Sequence, residues 1–155
     1  MSQTVDVNVL LYASNVEADE NERAISLVRH LASGPGLVVL FWPVALAYLR
    51  ISTHPSIFAA PLRHREAVGN LEQLMSRPHV RMAAEGDRFW PSYRSIAEDV
   101  RVSGNAVPDV QLAALMTEHG VDTIWTRDRD FRKFDRIVAR DPFADRYRSG
   151  FSHGV

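Results

Sequence analysis

Short apolar runs alternate with longer segments of helical periodicity along the chain. "TVDV" at residues 4–7 predicts a first strand, and "LVVLF" at 37–41 predicts a second strand that is buried on both faces. "HVRMA" at 79–83 and "VDTIWT" at 121–126 predict two more. This alternation predicts an α/β fold, with a mostly parallel central sheet covered by helices on both faces.

The segments between these strands have the spacing of amphipathic or buried helices. In the clearest of them Pro108 stands near the start and Gly120 supplies the C-terminal stop. Pro43 suits the first turn of another, and Pro91 marks a candidate start within a third. The predicted helices are residues 8–13, 20–33, 44–52, 64–76, 86–104 and 107–120.

Composition narrows the class of protein. The 155 residues suit one domain, predicted at residues 1–143, followed by a loosely ordered tail at 144–155. There is no cysteine, which excludes disulfides, thiolate metal sites and cysteine nucleophiles. We find no secretory signal and no apolar run long enough to cross a bilayer, so we expect a cytoplasmic protein. The net charge of −1 gives no global attraction to nucleic acid.

Four aspartates stand where parallel strands pass into helices or turns. Asp6 follows the first strand, Asp109 lies in the first turn of a helix, and Asp128 and Asp130 follow the last predicted strand. In a parallel sheet these places converge beyond the carboxyl ends of the strands. Clustered carboxylates repel one another unless a hard cation neutralises them. The pattern therefore predicts a Mg²⁺ or Mn²⁺ site suited to phosphoryl transfer to water.

Each acid also has a purely structural interpretation. Asp109 beside Pro108 is favoured by the helix dipole alone, and Asn8 is a natural helix cap. Asp128 and Asp130 are ordinary turn residues among several arginines. Asp6 is harder to dismiss, because a carboxylate between two apolar runs is partly buried and needs a partner.

Three segments, in order and spacing, resemble the acidic motifs of the PIN-domain ribonucleases. They are "VDVNVLLYA", "VPDVQLAAL" and "TRDRDF". "YLRISTHPSIF" in the middle of the chain is similar to a segment common among the VapC toxins of bacterial, particularly mycobacterial, VapBC toxin–antitoxin systems. The resemblance runs over residues 4–143. It implies a three-layer α/β/α PIN-like domain that cleaves RNA with Mg²⁺ or Mn²⁺.

The resemblance also implies roles for individual residues. The metal ligands would be Asp6, Asp109 and Asp128. Asp130 would be a catalytic acid that binds the metal through water or supports another ligand. Asn8 and Thr126 would orient the ligands by hydrogen bonds. The family further implies an RNA substrate, a VapB-type antitoxin that silences the toxin, and a homodimer.

One feature departs from the family pattern. The family usually carries another acid, generally Glu, on the helix after the second strand, but no residue between Phe41 and Ser52 is Asp or Glu. The expected position falls near Ala45 or Ala47. One fewer carboxylate implies weaker metal binding and disfavours a two-metal arrangement.

The sequence leaves two rivals to a nuclease. The first is a PIN-like domain that binds RNA or antitoxin without efficient cleavage. The second is a small phosphatase-like domain with Asp6 as nucleophile, which Asn8 disfavours because such enzymes carry a second carboxylate there. For RNA, the basic residues near the acids are candidate phosphate contacts, with solvated surface charge as the alternative. They are Arg50, Arg127, Arg129, Arg132 and Lys133.

Overall fold

A five-stranded parallel sheet forms the centre of the computed structural model, which describes residues 2–144. The predicted tail beyond Ala144 lies outside the described residues. The strands are β1 (Ser2–Val5), β2 (Leu37–Phe41), β3 (Val80–Ala83), β4 (Thr123–Trp125) and β5 (Val138–Arg140). Their order is β3-β2-β1-β4-β5, and all four neighbouring pairs are parallel. The α/β fold predicted from the sequence is therefore confirmed.

Six helices connect and cover these strands. They are α1 (Val7–Ser14), α2 (Asn21–Ser33), α3 (Trp42–Ser52), α4 (His64–Met75), α5 (Phe89–Asp99) and α6 (Ala106–Glu118), and a short 3₁₀ helix spans Arg129–Lys133. The chain steps from β1 to β2 to β3 in one direction and then returns to β4 on the other side of β1. Since parallel crossovers are right-handed, the return places α5 and α6 on the face opposite α1–α4. This produces the three layers.

The first strand ends earlier than the sequence predicts. It spans residues 2–5 instead of 4–7, because Asp6 leaves the sheet to cap α1. Asp6 has extended backbone angles, and its Oδ1 accepts a hydrogen bond from the Val7 N–H at 2.7 Å. Capping by a short polar side chain satisfies a backbone donor that the first turn of a helix leaves free. The first acid therefore lies at a strand–helix junction.

The structure also contains a fifth strand that the sequence pattern did not reveal. β5 has only three residues, none of them buried, and it pairs with β4 at the edge of the sheet. A half-exposed strand of this length has no hydrophobic pattern strong enough to predict. The helix predicted over residues 86–104 is shorter in the structure, Phe89–Asp99, with Pro91 in its first turn.

The core is densest where α6 packs on the sheet. Val110 and the run from Leu112 to Met116 are buried, as are Ile124 and Trp125 of β4. Burying an aliphatic side chain of this size contributes about 1.5–3 kcal/mol, so α6 is firmly anchored. Asp109, directly before Val110, is therefore held in a fixed place.

The strand order reverses at β1, whose neighbours β2 and β4 connect in opposite directions. In open parallel sheets a crevice forms at such a point, beyond the carboxyl ends of the strands. Asp6 follows β1 directly, and its N–H donates to the Trp125 carbonyl at the end of β4, at 3.0 Å. Within residues 2–144, no helix is long and apolar enough to cross a membrane.

Candidate metal centre

Asp6 and the turn after β4 are joined by a buried hydroxyl. Thr126, which is 2% exposed, donates from Oγ1 to Asp6 Oδ2 at 2.9 Å. Thr126 Oγ1 in turn accepts a hydrogen bond from the Asp128 N–H, also at 2.9 Å. One threonine thus fixes the positions of two acids that lie 122 residues apart in the chain (128 minus 6).

The acidic turn continues into the 3₁₀ helix. Asp128 caps that helix, and its Oδ1 accepts the N–H of Asp130 at 2.9 Å. Phe131 is buried beneath the turn and holds it against the core. Asp128 therefore keeps its other oxygen for a further partner.

Three carboxylates converge on one spot. One oxygen from each of Asp109, Asp128 and Asp130 lies within 4.8 Å of the other two. Asp6 is outside this group, and its two oxygens accept hydrogen bonds from Val7 and Thr126. The geometry thus brings Asp130 into the cluster and leaves Asp6 beside it, whereas the sequence prediction had placed Asp6 among the ligands and Asp130 in a secondary position.

The electrostatics of the site disfavour several negative charges. Burial is the largest of the effects that together raise the pKa of Asp109 to about 6; the neighbouring Asp128 and Asp6 carboxylates add to the rise, and Lys133 opposes it. Burial also raises the pKa of Asp6 against the hydrogen bonds from Thr126 and Val7. A divalent cation is the natural counter-charge for such a cluster, and carboxylate oxygens are the ligands that Mg²⁺ and Mn²⁺ prefer. The donor set therefore fits the metal that the resemblance implies.

The acids border a cleft of about 380 Å³ between α1, α3 and α6. Asp6, Asp109 and Asp128 line it together with Asn8 and Gln111. Gln111 was missed in the sequence. Its side chain donates to Glu85 at 2.8 Å, and its place two residues after Asp109 was the only signal that pointed to it.

The wall that α3 contributes to the cleft carries no charge. It consists of Pro43, Val44 and Ala47. Ala45, the other position considered for the family's extra acid, has no exposed surface and belongs to the core. Of the two positions, only Ala47 lines the cleft, and a longer side chain there would enter it.

The other residues predicted for the site, Asn8 and the candidate RNA contacts, differ from one another in their partners. Asn8 is exposed on the first turn of α1 and lines the cleft, but Asp6 takes its hydrogen bonds from other groups. Arg127 forms an ion pair with Glu20, and its guanidinium lies 5.6 Å from the ring centre of Phe143. The other four candidate RNA contacts have exposed side chains: Arg50, Arg129, Arg132 and Lys133.

A family model described as the PIN domain matches residues 4–137. The chain therefore belongs to the PIN-domain family. Its acidic cleft is the one lined by Asp6, Asp109 and Asp128. Among characterised relatives, Ribonuclease VapC48 of Mycobacterium tuberculosis is 53% identical over 144 residues, which cover 93% of this chain and 99% of that protein. The resemblance to mycobacterial VapC proteins is thus confirmed.

Solved structures of other proteins share this fold. A crystal structure of Mycobacterium tuberculosis VapC20, described as a sarcin–ricin loop cleaving toxin, has a TM-score of 0.64 at 19% identity and covers 90% of this chain and 99% of that one. The VapBC2 complex of Rickettsia felis, bound to a promoter DNA fragment, has a TM-score of 0.65 at 15% identity and covers 90% and 98%. At these identities the likeness establishes the fold.

Proposed function

We propose that this chain is a Mg²⁺- or Mn²⁺-dependent endoribonuclease that acts as the toxin of a toxin–antitoxin pair. The observation that carries the proposal is the convergence of Asp109, Asp128 and Asp130 within 4.8 Å at the switch point of a PIN fold. The ribonuclease named above, which is similar over nearly its whole length, supports the same activity.

In this proposal the metal ligands are Asp109 and Asp128, with Asp6 and Asp130 completing the acidic site. A bound Mg²⁺ or Mn²⁺ would polarise the scissile phosphate and lower the pKa of a water. The chain's own contribution is to hold the carboxylates in place. Thr126 orients Asp6 and Asp128, and the buried run after Asp109 fixes the third acid.

The proposed partners follow from the relatives. The substrate is RNA in the cytoplasm, the regulator is a VapB-type antitoxin, and the active form is a homodimer. The solved neighbours include the VapBC2 complex and the FitAcB protein of Neisseria gonorrhoeae. A homodimer of this 17.5 kDa chain should sediment at about twice that mass.

One observation favours a second candidate, a PIN domain that binds RNA or antitoxin without efficient cleavage. Ala47 leaves the α3 wall of the cleft without a charged group. A cluster with one carboxylate fewer attracts a divalent cation less strongly, since affinity depends on the number of charged ligands.

Cleavage of total RNA with and without Mg²⁺ or Mn²⁺ tests both candidates. The chain should be compared with Asp6→Asn, with Ala47→Glu, and with Asp19→Asn as a control. Asp19 is an exposed carboxylate between α1 and α2, outside the cleft. Calorimetric titration with Mn²⁺ should accompany the assay, because Ala47→Glu is expected to tighten metal binding even without RNA.

Metal-dependent cleavage that Asp6→Asn abolishes and Asp19→Asn preserves would establish the nuclease with its present acids. Cleavage that appears only in Ala47→Glu would establish the weakened domain. If the chain and Ala47→Glu both bind Mn²⁺ and neither cuts RNA, the nuclease proposal fails.

A further inference from the structure

A second cavity, of about 610 Å³, runs along α5 on the side of the sheet that carries α5 and α6. One wall is the face of α5 from Pro91 to Val100, and the other is the segment from Lys133 to Ile137 that follows the 3₁₀ helix. We call it the α5 groove. Its volume is within the range of about 300–1,000 Å³ typical of ligand sites.

The groove begins beside the acidic cluster. The 3₁₀ helix that separates Asp128 from Lys133 has five residues and is therefore about 10 Å long. The groove, whose lining includes Lys133, therefore begins within about 10 Å of chain from Asp128.

The lining of the groove suits a phosphate backbone on one side. Lys133 and Arg136 supply positive charge, and Ser92 and Ser95 supply hydroxyl donors. Asp99 and Asp135 also line it. Carboxylates repel phosphates and accept hydrogen bonds from amino groups of bases, so the phosphates have to follow the wall of Lys133 and Arg136.

The charges on that wall are available. Among residues 2–144, neither Lys133 nor Arg136 lies within 4.0 Å of a carboxylate in an ion pair, and both side chains are exposed. Arg127, on the other side of the acidic turn, is instead committed to Glu20. The positive charge of Lys133 and Arg136 is therefore available to phosphates along this wall.

We propose that the α5 groove binds the single-stranded RNA that adjoins the scissile phosphate, with its phosphates on Lys133 and Arg136. This inference rests on the proposed function and adds the path of the substrate. From Pro91 to Val100 the helix rises about 14 Å, which is the length of about four stacked nucleotides at 3.4 Å each. Base amino groups are engaged in base pairs in a duplex, so a single strand is better suited to offer them to Asp99 and Asp135.

Fluorescence anisotropy with a labelled, mixed-sequence single-stranded RNA of twelve nucleotides tests the path. The buffer contains Ca²⁺ in place of Mg²⁺, and the full chain is compared with Arg136→Ala and with Ser95→Glu, which adds a negative charge to the groove. Arg94→Ala is the matched control, because Arg94 is exposed on the same helix and lies outside the groove. Thermal melting of each variant verifies that it folds.

Arg136→Ala should weaken binding about two- to fivefold, the effect of one exposed ion pair. It should also reduce the dependence of log K on log salt by about 0.7, the value for one phosphate contact on a single strand. Ser95→Glu should weaken binding more, and Arg94→Ala should leave both quantities unchanged. A duplex of the same sequence should bind more weakly than the single strand.

Equal affinity of Arg136→Ala, Ser95→Glu and Arg94→Ala for RNA overturns the groove proposal. So does preferential binding of the duplex. These results are independent of the nuclease itself, since cleavage by the parent chain and its loss in Asp6→Asn are measured separately. The two experiments therefore distinguish a nuclease that does not use the groove from a protein that binds RNA in the groove without cleaving it.

Discussion

Replacing Asp109 with Asn should stabilise the metal-free protein and remove its stabilisation by metal. The folded state raises the pKa of this carboxyl from 3.8 to about 6, chiefly through burial. A carboxyl with a raised pKa costs no stability below the unfolded value of 3.8. The cost grows as the pH rises from there to about 6 and is constant above. Neutral Asn does not incur it.

The magnitude follows from the size of the shift. A change of about two pKa units corresponds to about 3 kcal/mol. Because Asp109 is incompletely buried, solvent screening reduces this, and we expect 1–2 kcal/mol, roughly, at pH 7.5. For a chain of this size that raises the melting temperature by about 2–8 °C. At pH 4.5 the advantage should fall to about a third, because this pH lies only about a third of the way from the unfolded pKa of 3.8 to the folded value of about 6.

Bound metal should make the parent chain more stable than Asp109→Asn, the reverse of their order without metal. Mn²⁺ at one hundred times its dissociation constant stabilises a one-site protein by about 2.7 kcal/mol. The parent chain should gain this, and the variant, which lacks one ligand, should gain little. Thermal melting at pH 7.5 and 4.5, with and without Mn²⁺, measures all four conditions, with Asp19→Asn as control. An Asn variant that is less stable without metal, or that gains as much from Mn²⁺ as the parent, would refute the reasoning.

Three further predictions concern the surroundings of the site. Thr126→Val should lower the free energy of unfolding, measured in urea, by about 1.5–3 kcal/mol, because it removes a hydrogen bond to the Asp6 carboxylate. Thr126→Ser keeps the hydroxyl and should retain most of the parent's stability. Equal stability of the two variants would contradict this prediction. Ala45→Glu should destabilise the protein by several kcal/mol, since it places a charge in the fully buried core; a normal melting temperature would show that this position faces solvent. A double-mutant cycle of Arg127→Ala and Glu20→Ala should give a coupling energy of about 0.2–1 kcal/mol that declines with added salt. Arg127→Ala should also leave the affinity for RNA unchanged. Weaker RNA binding by Arg127→Ala would show instead that Arg127 contacts RNA.

The sequence was most informative where one physical cause acts locally. Four of the five strands and all six helices follow from runs and periodicities of apolar residues, because burial of those residues determines the element. The acids were recognisable because they stand where strands pass into turns or at the start of a helix, and such places converge at the carboxyl edge of a parallel sheet. Boundaries were less certain, as the end of β1 shows, since Asp6 satisfies both a strand end and a helix cap.

Other features required the folded chain. The choice between Ala45 and Ala47 depends on which face of α3 turns to the cleft, and both positions are the same residue in the sequence. The pairing of Arg127 with Glu20 joins residues 107 positions apart. β5 exists only because β4 offers it an edge to pair with.

The sequence by itself therefore determined the class of fold, the family and the set of acids, because these depend on residue type and order. The tertiary structure decided which acids meet, which wall of the cleft lacks a charge, and which positive side chains remain free. Those properties are distances and exposures, and they arise only when segments far apart in the chain pack against one another.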